Sequence, residues 1–259
     1  MDLGITGRKA IVCAASKGLG RACAEALAAE GVEIVLNARD AAVLKQTADE
    51  IAATHHVTVT PVAGDLSTPE GRAALLAACP APDILINNAG GPPPGDYRSW
   101  SDDDWQQAVA TNMLTPVALI KAFADGMQER KFGRIVNITS SVVRHPIDAQ
   151  GLSAAARSGL HGFVATIVRG LAAHNVTVNN LLPGPFATDR LLSNFAFRAK
   201  REGSSVDEVV AARKAELPAR RFGDPAELGR FCAYLCSAQA GYVSGQSILL
   251  DGAAHPQIF

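Results

Sequence analysis

The chain has 259 residues, 48% hydrophobic and 19% charged, with 24 basic against 25 acidic side chains and a pI near 6.6. That composition describes a folded globular protein and excludes a disordered one. A net charge of -1 without a basic block leaves no electrostatic footprint for nucleic acid or anionic lipid, so neither is expected as a partner.

No apolar run approaches the roughly 20 residues of a spanning helix, and the first residues lack a charged segment followed by an apolar core. Cytoplasmic residence is the expectation. The five cysteines form neither a CxxC pair nor a dense framework, which fits a reducing compartment. Cys232 and Cys236 share a helix face without His partners and read as packing, so no metal is expected.

In chain order, short β-type apolar runs recur at 10–15, 33–37, 57–62, 83–87, 134–139, 176–182 and 247–250. Ala-rich helical patterns over 18–30, 41–54 and 69–79 separate the first four. Trp105, Val109, Asn112, Leu119 and Phe123 mark a longer helix, capped by Ser101 with Asp104 and kinked by Pro116. A second long helix starts near Ser153, with Leu160, Val164, Ile167 and Leu171 as its apolar stripe and with Gly159 and Gly162 permitting close packing. Continuous apolar strands alternating with helices predict a parallel sheet covered on both faces, a doubly wound, Rossmann-like α/β fold of three layers.

Nothing divides the chain, so residues 1–259 read as one domain. The Pro92–Pro94 run is a rigid loop after a strand. From 189 to 221 the strands stop and charged helical stretches take over, broken at Gly203, Ser204 and Ser205, which predicts a lid. Phe195 and Phe197 in it are the packed side of a helix, among Arg198, Lys200 and Arg201.

The first strand runs into Cys13-Ala14-Ala15-Ser16-Lys17-Gly18-Leu19-Gly20, which opens the first helix. Gly18 and Gly20 let backbone approach a dinucleotide, and the helix N-terminus offers free N–H groups to its pyrophosphate. A tight turn without a ligand is the plainer alternative. At the tip of the second strand, where an NAD site would carry a carboxylate, stand Asn37, Ala38 and Arg39. Arg39 with Lys17 suits a 2'-phosphate, so NADP(H) is the expected cofactor.

Further motifs follow in order: Asp65-Leu66, Asn87-Asn88-Ala89-Gly90, Asn112, Asn137-Ile138-Thr139-Ser140, Pro183-Gly184-Pro185-Phe186-Ala187-Thr188, Tyr242 to Gln246, and Asp251-Gly252. With them the chain resembles the short-chain dehydrogenase/reductase family from Leu3 to Gly252, and within it is similar to the 3-oxoacyl-[acyl-carrier-protein] reductases. The resemblance implies an adenine contact at Asp65 and Leu66 and cofactor contacts at Asn88, Ala89 and Gly90. It also implies a loop from Pro183 and Gly184 through Phe186 to Thr188 that holds the nicotinamide carboxamide, with Phe186 in place of Ile. Ser16 and Leu19 belong to the cofactor turn. Cys13 and Ala14 stand where that family has Thr and Gly.

One departure bears on the chemistry. The family's Tyr-x-x-x-Lys pair lies 13 residues after its serine; counted from Ser140, those positions hold Ser153 and Arg157. The resemblance implies that tyrosine gives the proton and lysine lowers its pKa. A serine hydroxyl is a poor acid, but Arg157 keeps the positive charge and a hold on the nicotinamide ribose, and Ser140 still polarises a carbonyl.

The candidate catalytic set is therefore Ser140, Arg157, Asn112 and Ser153, with His145 as the replacement proton donor by position. His161 reads as a packing or interface residue. Three functions remain open: an NADP(H)-dependent reductase of a ketone or 3-oxoacyl-type carbonyl with atypical proton delivery; a nucleotide-binding sensor or partner subunit without turnover; and a reductase of imines or activated double bonds. The resemblance further implies a homodimer or homotetramer acting on a small-molecule substrate.

Overall fold

The strand runs are continuously apolar because both faces of the sheet are covered. In the computed structural model, which describes residues 1–256 apart from the side chain of Phe197, seven parallel strands take the order β3-β2-β1-β4-β5-β6-β7. They are β1 (Lys9–Val12), β2 (Glu33–Ala38), β3 (Val59–Ala63), β4 (Ile84–Asn87), β5 (Gly133–Ile138), β6 (Val176–Pro183) and β7 (Ser247–Leu250). Ile11 of β1 lies opposite Val35 on one side and Leu85 on the other. The chain runs outward from β1 to β3 and then returns to β4, so the order reverses beside β1. A crevice opens at such a reversal, outside the carboxyl ends of the strands.

Side chains alternate across the pleat, and each set meets helices. Ala10 and Val12 join α1 (Gly18–Ala28), α2 (Ala41–His55) and α9 (Pro225–Leu235) through Leu27, Leu44 and Leu228. Ile11 and Cys13 face α3 (Pro69–Ala78), α5 (Thr115–Glu129) and α6 (Gly151–Ala172) through Leu75, Phe123 and Leu160. Each fully buried Leu or Ile contributes about 1.5–3 kcal/mol. β3 is an edge strand with exposed residues, which is why Pro61 is accommodated there.

The long helix expected around Asn112 is two helices, α4 (Asp102–Val109) and α5, joined by a π turn over Ala110–Leu114. Pro116 has no N–H to donate, and the wide turn placed just before it absorbs the mismatch. The Ser101–Asp104 capping box forms at the start of α4. Trp105 lies outside the core: it is 37% exposed and meets Trp100 edge-on at 5.9 Å.

Other expectations are corrected as well. Gly159 does pack closely, against the Met113 side chain, but Gly162 has nothing within 4 Å and opens outward. The first strand ends at Val12, three residues short of the apolar run, because the chain turns at Cys13 and Ala14. Residues 189–221 form a helical pair, α7 (Asp189–Glu202) and α8 (Val206–Glu216), broken at Gly203 with φ +67. Phe195, Ala199, Val209, Leu217 and Phe222 give this pair a small core of its own, with Phe195 on the packed side as expected. The side chain of Phe197 lies outside the described residues.

Candidate active site

The glycine turn is built by close approaches. A Cβ on Gly20 would stand 2.4 Å from the Ala14 carbonyl oxygen and 2.8 Å from Asn88 Nδ2, so only glycine fits. Gly18 has φ +60 and faces the methyl of Thr188. Asn88 Nδ2 donates to the Ala14 carbonyl at 3.3 Å and ties the end of β4 to the turn. Thr47 Oγ1 donates to the Ser16 carbonyl at 2.9 Å, bracing the turn from α2. Cys13 fills a buried position, and that burial pushes its thiol up to about 12, so it acts as an apolar side chain.

The Ala15 N–H donates to the Asn37 carbonyl at 2.9 Å, which makes the turn and the tip of β2 neighbours. Asn37 itself is buried. Its Nδ2 donates to the carbonyls of Val62 and Gly64 at 2.9 and 3.1 Å, so its amide closes the sheet edge and does not face the crevice. Arg39 and Lys17 are exposed on either side of this junction. Asp65 follows β3. Its carboxylate accepts from the Ser67 N–H at 2.8 Å, and these Ser67 contacts, with help from the charge of Arg39, hold it below the usual range. Leu66 beside it is buried.

A line of amides crosses the carboxyl half of the sheet. Asn87 Nδ2 donates to Asn137 Oδ1 at 2.8 Å, and Asn137 Nδ2 donates to Asn180 Oδ1 at 2.9 Å. Asn180 Nδ2 reaches Ser247 Oγ at 3.3 Å, and Ser247 meets His161 Nδ1 at 3.0 Å. His161 Nε2 lies 3.0 Å from Thr139 Oγ1, which donates to the Leu181 carbonyl. With that hydroxyl proton committed, Nε2 carries the imidazole proton and Nδ1 accepts from Ser247. Burial, then the charges of Arg144 and Arg157, push His161 down to about 4. Sequence reading treated His161 as packing and did not connect the asparagines, although they stand at matching positions near the ends of β4, β5 and β6.

Ser140 lies two residues past the end of β5, and its Oγ accepts from the Val142 N–H at 3.3 Å. Its own proton is thereby left to point elsewhere. Ser153 and Arg157 are buried one turn apart on α6. Arg157 is 8% exposed; Nη1 donates to the Thr139 carbonyl and Nη2 to Asn112 Oδ1 at 3.1 Å, while Nε is buried without a partner. Asn112, in the π turn, is fixed at its other end by Nδ2 donating to the Ala108 carbonyl. Burial, then the nearby charge of Arg190, lowers Arg157 to about 10, which still leaves it a cation at neutral pH. Asn87, Asn88, Ala89, Asn112, Thr139 and Arg157 share the lining of a small cavity beside it.

Pro183 ends β6, and Gly184 permits the loop that follows: a Cβ there would meet Asp251 Cβ at 2.6 Å. Phe186 turns into the core, 7% exposed, against Gly223, where an added Cβ would lie 2.6 Å from the ring. The ring therefore anchors the loop. Thr188 caps α7 by accepting from the Leu191 N–H. Gly18, Arg21, Thr188 and Asp224 line a groove of about 240 Å³ between the glycine turn and this loop. Gly90 and Gly91, after β4, lie against the guanidinium of Arg190.

His145 sits in the loop after Ser140 and stacks on His255, ring centres 4.0 Å apart. Burial, then the proximity of His255, lowers it below the ordinary histidine range. His255 is held by Asp251, Nδ1 to Oδ2 at 2.9 Å. Sequence reading missed His255 and Arg190; the only sequence signals were a histidine four residues past Asp251 and a cation two past Thr188.

A doubly wound sheet whose reversal point is lined by a glycine turn, a strand-end serine and a buried cation defines a dinucleotide-type oxidoreductase scaffold. The chain belongs to the short-chain dehydrogenase/reductase family. Residues 13–255 match the family described as enoyl-(acyl carrier protein) reductase. The 3-oxoacyl-[acyl-carrier-protein] reductase of Vibrio cholerae is 30% identical over 96% of this chain and 98% of its own. The crystal structure of L-sorbose reductase from Gluconobacter frateurii, complexed with NADPH and L-sorbose, superposes with a TM-score of 0.94 at 30% identity, covering both chains completely. Actinorhodin polyketide ketoreductase with NADPH gives 0.89 at 27% identity over 96% and 97% of the two chains.

Proposed function

We propose that this protein is an NADPH-dependent reductase of a ketone or 3-oxoacyl-type carbonyl, in which no tyrosine delivers the proton. The observation that carries this reading is the fixed cation: Arg157, buried between the Thr139 carbonyl and Asn112, one turn from Ser153. The cofactor fits the residues present, because Gly18 and Gly20 keep open a cradle that a Cβ would fill. Ser16 to Gly20, Asn88 to Gly90 and the loop from Pro183 and Gly184 through Phe186 to Thr188 would hold it, with Asp65 and Leu66 at the adenine and Lys17 and Arg39 at the 2'-phosphate. Bound there, NADPH supplies the hydride that reduces the carbonyl carbon.

The chain's own residues do the rest. Ser140 donates to the carbonyl oxygen, and Arg157 stabilises the negative charge that gathers on that oxygen. Ser153 adds a hydroxyl but little acidity. His145 gives the proton, with its ring stacked on His255 and Asp251 steadying that partner. The α7–α8 pair serves as the lid over the site. Assembly as a homodimer or homotetramer belongs to the same reading, supported by the outward-facing Gly162 and Gly170 of α6.

The test is NADPH oxidation against ketones, 3-oxoacyl thioesters, quinones and imines. Turnover of carbonyls is the expected result, and His145→Ala should reduce it at least tenfold with little change in NADPH affinity. An acid must be protonated to act, so the His145-dependent rate should fall as pH rises through a pKa below 6.5. Tight NADPH binding without turnover of any compound would replace this reading with a nucleotide sensor. Turnover of imines alone would assign the third reaction class.

A further inference from the structure

Two guanidinium groups from distant parts of the chain converge on one point. At the position where Gly91 would carry a Cβ, Arg190 Nη2 lies 3.0 Å away and Arg157 Nη2 lies 3.3 Å away. Like charges so placed repel; Arg157 is buried while Arg190 is exposed, and an anion held between them would relieve the repulsion. Neither arginine has an ion-pair partner among the described residues. Arg190 spends one N–H on the Pro92 carbonyl at 3.2 Å. Arg157 has its Nη1 and Nη2 committed to neutral oxygens and keeps a buried Nε with no acceptor. A methyl at position 91 would press on the ends of both guanidinium groups, and glycine leaves them room without displacement.

We propose that Arg157 and Arg190 form an oxyanion subsite that receives a carboxylate carried by the substrate, so that the carbonyl compound reduced is an oxo acid. This rests on the reductase reading above. A carboxylate can accept from both guanidinium groups at once, and charge-assisted bonds of that kind are about twice as strong as neutral ones. Arg157 is the fixed member, locked by the end of β5 and by Asn112. Arg190 is the second residue of α7, so the anion would also tie the base of the lid to Gly91. The other source of an oxyanion in this crevice is the cofactor's pyrophosphate, and the experiment separates the two.

Acetoacetate and its methyl ester, with the corresponding 2-oxo acid pair, differ only in the charge at issue. The acid should be reduced with at least tenfold higher kcat/KM than the ester. Arg190→Gln should cut the acid-to-ester ratio at least tenfold, Arg190→Lys should restore part of it, and the Kd for NADPH should change less than threefold in both. A parent protein that prefers the ester, or a ratio unmoved by Arg190→Gln, overturns the proposal. So does an Arg190→Gln variant whose main defect is tenfold weaker NADPH binding, which would hand the pair to the pyrophosphate. If neither compound is turned over, the reductase reading fails separately. Calorimetry of acetoacetate with the NADP+-loaded protein then decides: binding lost in Arg190→Gln upholds the subsite, and no binding to the parent overturns it.

Discussion

Asn137 hands a hydrogen bond to Asn180, Nδ2 to Oδ1 at 2.9 Å, and both amides are buried. Because Asn87 donates in turn to Asn137, the middle amide satisfies a neighbour on each side. Asn137→Leu keeps the branching at Cγ but strands a donor on Asn87 and an acceptor on Asn180. Each orphan costs about 1–3 kcal/mol, so the variant should lose about 2–6 kcal/mol in urea unfolding. Asn87→Leu strands one acceptor only and should lose about half as much. Equal losses in the two variants would mean that the amides act singly and not as a line.

His161 gives the fold a dependence on pH. Its imidazole stays neutral in the folded chain down to about pH 4, whereas the unfolded chain takes up a proton near 6.5. Between those values the unfolded state binds more protons, so stability is complete above about pH 6.5 and declines as pH falls toward 4. The loss by pH 4 should be about 2 kcal/mol, allowing for the side chain's partial exposure. His161→Gln retains an amide to bridge Thr139 and Ser247 but cannot titrate. Subtracting its urea-unfolding profile from the parent's should leave this decline; a flat difference would show that His161 is not held neutral.

Ala14 occupies left-handed backbone, φ +47, at the entrance to the glycine turn. That conformation costs an alanine about 1–2 kcal/mol, and glycine returns part of the gain through its greater freedom when unfolded. Ala14→Gly should therefore stabilise by about 1 kcal/mol and raise the Tm by about 2–4 °C. Gly18→Ala makes the opposite test, since its added methyl would meet only Thr188 at ordinary contact distance. A lower Tm for Ala14→Gly would remove backbone strain as a property of this turn.

The strands and most helices were legible because periodicity and burial are local properties: the run ending at Leu250 is β7, and Ser101 with Asp104 does cap α4. Boundaries failed where geometry competed with hydrophobicity. Cys13 is as apolar and buried as a strand residue, yet the chain must turn there to bring Ala14 against Gly20. At the site, the line of residues along one strand or helix was readable, such as Ser153 and Arg157 one turn apart. The meeting of Arg157 with Arg190 was not, because their 33-residue separation closes only through the loop after β4 and the start of α7. Likewise Asn37 stands at the expected strand tip, but its amide goes to Val62 and Gly64, a choice fixed by β3 and invisible in the local sequence.

That choice sharpens the expectation for the cofactor. With the Asn37 amide committed to β3, the exposed side chain that follows the tip of β2 is Arg39, and the carboxylate of Asp40 after it is spent on capping α2 through the Ala42 and Val43 N–H groups. Arg39→Asp places a carboxylate in that position and removes a cation suited to a 2'-phosphate. The variant should lose at least a hundredfold in kcat/KM with NADPH and gain about tenfold with NADH, and Lys17→Ala should show a smaller loss with NADPH alone. Salt offers an independent check, because contacts between exposed charges weaken with ionic strength. The KM for NADPH should rise between 0.05 and 0.5 M salt, on the order of tenfold, while the KM for NADH stays nearly constant. A parent protein that uses both cofactors equally, with parallel salt responses, would show that Arg39 and Lys17 are solvated surface charges and that the 2'-phosphate is not recognised.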